Sequence, residues 1–224
     1  MQYRAWSVRT AALLVSLVTL AGCGAAGGAE YGPRLVTTAD TIVFGRDMVI
    51  QHGCGDCHGG GDNPAAPMWL MGFRAGTEDT LFWPAVIPTP GGTFRTRPRN
   101  LTPDNETGLG RFTERQIFNA LRFGLRPGET PDVVITSLTP GEGNFPATPK
   151  YLAPPMPWPV FRHMSDRELR SIAAYLKRGV KPQTNRVELS GGPPDFWAGL
   201  YGMIAGPPTP PAFPTEREQA LPPG

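Results

Sequence analysis

Cys54-Gly55-Asp56-Cys57-His58 is the stretch around which the rest of the chain organises itself. Two thiols three positions apart, followed at once by an imidazole, admit four chemistries. A thioredoxin-type redox pair needs a βαβ setting, and no β-branched strand precedes Cys54. A zinc site drawing on His52, Cys54, Cys57 and His58 would crowd all its ligands into one short segment, which suits a tetrahedral ion poorly. A disulfide between Cys54 and Cys57 would close a strained small ring. The fourth chemistry fits, because Cys-x-x-Cys-His is the attachment signature of a covalently held haem. Each thiol forms a thioether to one vinyl group of the same porphyrin, and the histidine is placed beneath the iron. Cys54 and Cys57 are therefore the expected attachment residues and His58 the expected axial ligand.

The segment before this motif reads as an export signal. Arg4 and Arg9 precede the apolar run from Ala11 to Leu20, which is too short to span a bilayer. The run ends in Leu20-Ala21-Gly22-Cys23, which resembles a bacterial lipoprotein processing box. That resemblance implies removal of residues 1–22 and a lipid on Cys23. The three cysteines are then all assigned, and the expected location is the periplasmic side of a bacterial envelope membrane. Once Arg4 and Arg9 are gone, basic and acidic residues balance at 19 each, so no basic face for nucleic acid is expected.

The 224 residues suffice for one domain with a packed core. With 28 Gly and 27 Pro, much of the chain must be loop, while 11 Phe, 5 Trp and 5 Tyr argue against wholesale disorder. Three helices are predicted. The first runs from about Asp40 to His52, with Ile42, Val43, Met48, Val49 and Ile50 apolar and Gly53 as its stop. The second follows the capping box Thr113-Glu114-Arg115-Gln116, with Phe112 and Ile117 as a hydrophobic staple. It buries Ile117, Phe118 and Leu121 and ends at Gly124. The third follows the capping box Ser165-Asp166-Arg167-Glu168, with Met164 and Leu169 as staple and Leu169, Ile172, Ala173 and Leu176 facing inward. A short hairpin is expected about Gly91-Gly92. Long connections over 59–100 and 126–155 suit a protein wrapped around a large cofactor.

These elements divide the chain into a signal (1–22), a tether (23–34), a mainly helical domain (35–180) and a Pro-rich extension (181–224). Lys181 to Arg186 reads as the exit from the domain, and the apolar Phe196–Ile204 as a patch that packs back on it.

A second axial ligand decides what the iron does. Met68, Met71, Met156, Met164, Met203 and His163 all lie downstream of the motif. Met156 stands in Ala153-Pro154-Pro155-Met156-Pro157-Trp158-Pro159, where prolines restrict the backbone and preorganise the thioether. Met156 is therefore the expected sixth ligand. Met68 follows His58 too closely to reach the opposite face, and His163 and Met164 read as a surface cap on the last helix.

In its order of helix, haem motif, loops, Met-bearing loop and final helix, the chain resembles the class I cytochromes c. In that fold the first and last helices cross at a small residue beside an aromatic, and Gly45 and Tyr175 match those positions. Gly92-Thr93, Asn100-Leu101-Thr102-Pro103-Asp104, Glu106-Thr107-Gly108-Leu109-Gly110 and Met156-Pro157-Trp158 are similar to modules of the cytochrome c subunits of membrane-bound alcohol and sugar dehydrogenases. Those subunits hold several haem modules, whereas this sequence has one motif, and the stretch from Gly128 to Lys150 reads as an insertion.

The expected function is single-electron transfer through one covalent haem c, not catalysis. Two protein ligands close the iron, and the soft thioether of Met156 favours the ferrous state. The partners implied are a dehydrogenase or quinol-oxidising donor and an oxidase or other acceptor, with the membrane reached through the lipid. The alternatives are a haem enzyme of peroxidase or reductase type and a redox or gas sensor with a labile sixth ligand. Neither a distal acid–base pair nor a signalling segment is evident in the sequence.

Overall fold

The computed structural model describes residues 38–74, 84–89, 92–188 and 190. The signal, Cys23, the tether, Met203, the Phe196–Ile204 patch and the segment after Pro207 lie outside the described residues.

The first helix, α1, spans Thr38–Gln51 and is followed by the short α2, Cys54–His58. Next come a hairpin of β1 (Ala85–Thr89) and β2 (Gly92–Thr96), then α3 (Glu114–Phe123), α4 (Trp158–Phe161) and α5 (Asp166–Arg178). The described residues thus form helices with one small sheet. The two strands pair antiparallel, from Ala85 opposite Thr96 to Thr89 opposite Gly92.

Both capping boxes form. Thr113 Oγ1 accepts from the Gln116 N–H while Gln116 Oε1 accepts from the Thr113 N–H, each at 3.1 Å. Ser165 and Glu168 do the same at the start of α5, at 3.2 and 2.7 Å. Each box satisfies two amide groups that a helix start otherwise leaves unpaired. At the other end of α3, Gly124 adopts a left-handed conformation with φ of 70°. A Cβ there would stand 2.3 Å from the Trp158 ring, so glycine is needed for space as well as for backbone.

The core is built where α1 and α5 cross, lined by Met48, Val49, Leu169, Ile172, Ala173, Tyr175 and Leu176, with Trp69, Leu70 and Ile117 beside them. The Trp69 indole donates to the Tyr175 hydroxyl at 2.9 Å, so the polar ends of both buried rings are satisfied. A second small cluster gathers Phe94 and Trp158, with Ile87, Tyr151, Leu152 and Ala153 packed against them.

Val43, apolar in the sequence, is 48% exposed. Three expectations are corrected. Met164 is buried in the core, which fits its place in the staple and removes it from the surface cap. In α3, Asn119 and Arg122 are buried and Phe118 and Leu121 only half-buried. Asn119 Nδ2 donates to the Val133 carbonyl at 3.1 Å, and Arg122 donates to the Arg162 carbonyl and pairs with Asp166. The polar face of α3 thus carries the connection that follows it. Finally, residues 181–188 and Ser190 do not leave the body but run back across it. Asn100 Nδ2 and Thr102 Oγ1 both donate to the Gln183 carbonyl, at 2.7 and 3.0 Å.

Candidate functional site

Gly53, in left-handed conformation, separates α1 from α2, so Cys54, Cys57 and His58 stand on one short helix set against the end of α1. Cys54 is half-buried and Cys57 exposed. Burial foremost, with Cys57 nearby, pushes the Cys54 thiol up to about 12, and burial with Asp56 raises that of Cys57. Both shifts run opposite to that of an activated redox thiolate. Among the described residues no cluster of three or more His, Cys, Asp or Glu side chains is gathered to hold a bare metal ion.

His58 is buried, and its Nδ1 lies 2.7 Å from the Arg99 carbonyl oxygen. A carbonyl only accepts, so Nδ1 carries the proton and Nε2 is the nitrogen left for a metal. Burial lowers the pKa of this ring, with the Arg99 carbonyl pulling the other way, so the ring is neutral, the form in which imidazole ligates. The backbone around it is tied as firmly, since the Gly72 N–H donates to the His58 carbonyl at 2.8 Å.

Met156 sits in the loop between the isolated bridge of Leu125 with Tyr151 and α4. It is half-buried, and both it and Cys54 pack against the core cluster formed by α1 and α5. The loop is anchored by bonds from the Arg126 N–H to the Lys150 carbonyl at 2.8 Å and from the Leu152 N–H to the Gly124 carbonyl at 2.6 Å. Trp158 stacks on Tyr151 with ring centroids 5.8 Å apart. Met68 and Met71 lie instead on the turn bonded to residues 58 and 59. His163 is exposed.

Sequence reasoning missed the arginines around this site. Arg97 and Arg99 stand two residues apart after β2, and Arg126 is close enough that it and Arg97, after burial, lower the pKa of Arg99. Their mutual approach has no local sequence signal, since Arg126 arrives from beyond α3.

No helix among the described residues is long and apolar enough to cross a membrane. No family model matches the chain. It is 33% identical over 96 residues to the cytochrome c subunit of alcohol dehydrogenase (quinone) from Gluconobacter oxydans, covering 43% of this chain and 16% of that protein. Against the subunit of the same name from Komagataeibacter europaeus it is 32% identical over 97 residues, again 43% and 16%. A fructose dehydrogenase cytochrome subunit from Gluconobacter japonicus is 26% identical over 142 residues, covering 63% of this chain and 22% of that protein. The chain thus matches only 16% of the length of the first two. The resemblance read from its motifs is borne out: the chain is similar to cytochrome c subunits of dehydrogenases.

Proposed function

We propose that this chain is a single-electron carrier holding one haem through thioethers to Cys54 and Cys57, with His58 and Met156 as axial ligands. The observation that carries the reading is His58 itself: buried, neutral, adjacent to two thiols on one helix, and oriented by a fixed bond from Nδ1. An activated redox thiol would want a depressed pKa, and both are raised. When bound, the haem supplies one-electron chemistry, while the protein sets burial and docking.

The layout that accompanies this reading is a cleaved signal over 1–22, a lipid on Cys23, a tether to 34, and a domain that exchanges electrons with envelope partners. Similarity to dehydrogenase cytochrome subunits supports a dehydrogenase as one of those partners. Met156 as sixth ligand separates this carrier from the enzyme and sensor alternatives, both of which need an open or labile position.

The reading is tested by producing the chain in a bacterium that matures c-type cytochromes and staining a denaturing gel for haem. Wild type should retain haem through denaturation and acid extraction, and Cys54→Ala with Cys57→Ala should not. Haem that stays bound in the double variant would end the proposal.

A further inference from the structure

The bond from His58 Nδ1 to the Arg99 carbonyl is itself held by a third element. The guanidinium of Arg99 turns outward: Nη1 donates to the carbonyls of Val187 and Glu188 at 3.0 and 2.9 Å, and Nη2 reaches Ser190 Oγ at 3.4 Å. Glu188 also pairs with Arg97 at 2.6 Å, and Thr96 Oγ1 lies 2.8 Å from Ser190 Oγ. Asn185 Nδ2 also donates to the carbonyls of Met71 and Phe73, at 2.8 and 3.0 Å. These two carbonyls bracket Gly72, whose N–H holds the His58 carbonyl. Asn100 and Thr102, 2% and 0% exposed, fix the start of the segment at Gln183. One stretch of chain therefore grips both segments that are hydrogen-bonded to the histidine, through Arg99 on one and the residues either side of Gly72 on the other.

We propose that residues 181–188 and Ser190 form a strap that presses the Arg99 carbonyl against the His58 imidazole and so sets the electron affinity of the iron. The inference rests on the carrier reading above. A carbonyl accepting from Nδ1–H gives the ring partial anionic character and makes it a stronger base toward its metal. A stronger base favours the ferric state. Loosening the strap weakens that push, and the ferrous state gains. Arg99 and Asn185 are positioning residues in this scheme, since neither touches the iron.

The test compares the full-length, haem-loaded wild type with Arg99→Ala, Arg99→Lys and Asn185→Ala. Arg178→Ala, which removes an exposed ion pair with Glu114 on the outer helices, serves as control. Two quantities are read: the ferrous-to-ferric ratio in a buffer poised at the wild-type midpoint, and the exchange rate of the Nδ1 proton by NMR of the ferrous protein. Arg99→Ala and Asn185→Ala should raise the ratio several-fold and speed the exchange, Arg99→Lys should fall between, and the control should match wild type. If Arg99→Ala fails to accumulate, Arg99→Lys and Asn185→Ala decide the matter. Loaded variants with wild-type ratio and exchange would overturn the strap and leave the carrier reading standing. A wild type without covalent haem would remove both.

Discussion

Gly45 lies so close to Ser171 that a Cβ added to it would stand 1.9 Å from the Ser171 carbonyl oxygen and 2.9 Å from Tyr175 Cβ. The clash is with backbone, which has no rotamer to yield, so any side chain at 45 must part α1 from α5. Gly45→Ala should therefore destabilise by about 3 kcal/mol or more, at the upper end of overpacking effects, even though alanine favours helix. Urea unfolding followed by circular dichroism measures it. A neutral or stabilising result would mean that the crossing is looser than the geometry states.

The Trp69–Tyr175 bond gives a second expectation. Tyr175→Phe strands a buried indole N–H and should cost about 1–3 kcal/mol. Trp69→Phe combined with Tyr175→Phe removes both polar partners, so the double variant should lose less than the two single losses added together. Simple additivity across this double-mutant cycle would show that the bond contributes nothing.

Asp104 supplies a pH dependence. The Thr107 backbone N–H foremost, then the Thr107 hydroxyl, hold its carboxyl below the ordinary carboxylate range, with Thr184 and the Glu106 N–H adding to them. A carboxyl more acidic folded than unfolded stabilises fully above the unfolded value, and that contribution is lost as pH falls through the folded one. Acid titration of stability should accordingly show a loss on moving below the normal aspartate range, and Asp104→Asn should flatten it. An unchanged acid limb in the variant would contradict the assignment.

Met156 carries the distinction between carrier and enzyme. Oxidised wild type should show a sulfur-to-iron charge-transfer band toward the red end of the spectrum, absent in Met156→Ala. That variant should also have a lower midpoint potential and bind carbon monoxide. If the band survived in Met156→Ala but vanished on changing Met68 or Met71, a different thioether would be the ligand. If no methionine mattered, the exposed His163 or an open position would take its place.

What could be read from sequence was whatever repeats a local rule. The two capping boxes, with Phe112–Ile117 and Met164–Leu169 around them, are fixed by spacings of a few residues, and the structure forms both. Cys54, Cys57 and His58 were read the same way, and the structure sets them on one short helix. The misreadings of polar residues share one cause, which is partners that arrive from far along the chain. Asn119 and Arg122 look like solvent-facing residues of an amphipathic helix until Val133, Arg162 and Asp166 come to meet them. Gln183, Asn185 and Arg186 look like a solvated exit until Thr102, Met71 and Glu106 receive them. A polar side chain carries no local mark of whether its partner will be water or a distant carbonyl.

The crossing of α1 with α5 also fixes an order of events during chain growth. In an N-to-C synthesis, the helix bearing Cys54, Cys57 and His58 is complete long before α5 exists, so α1 has no surface on which to bury Met48 and Val49. Until α5 arrives, this part of the chain has nothing to close against and remains open. Closure then gathers everything between the two helices in one step, at an entropic cost that grows only with the logarithm of the intervening length. Lengthening the 126–155 connection should for that reason slow folding slightly and lower its yield little, whereas truncating the chain before α5 should leave the Cys54–His58 helix permanently accessible.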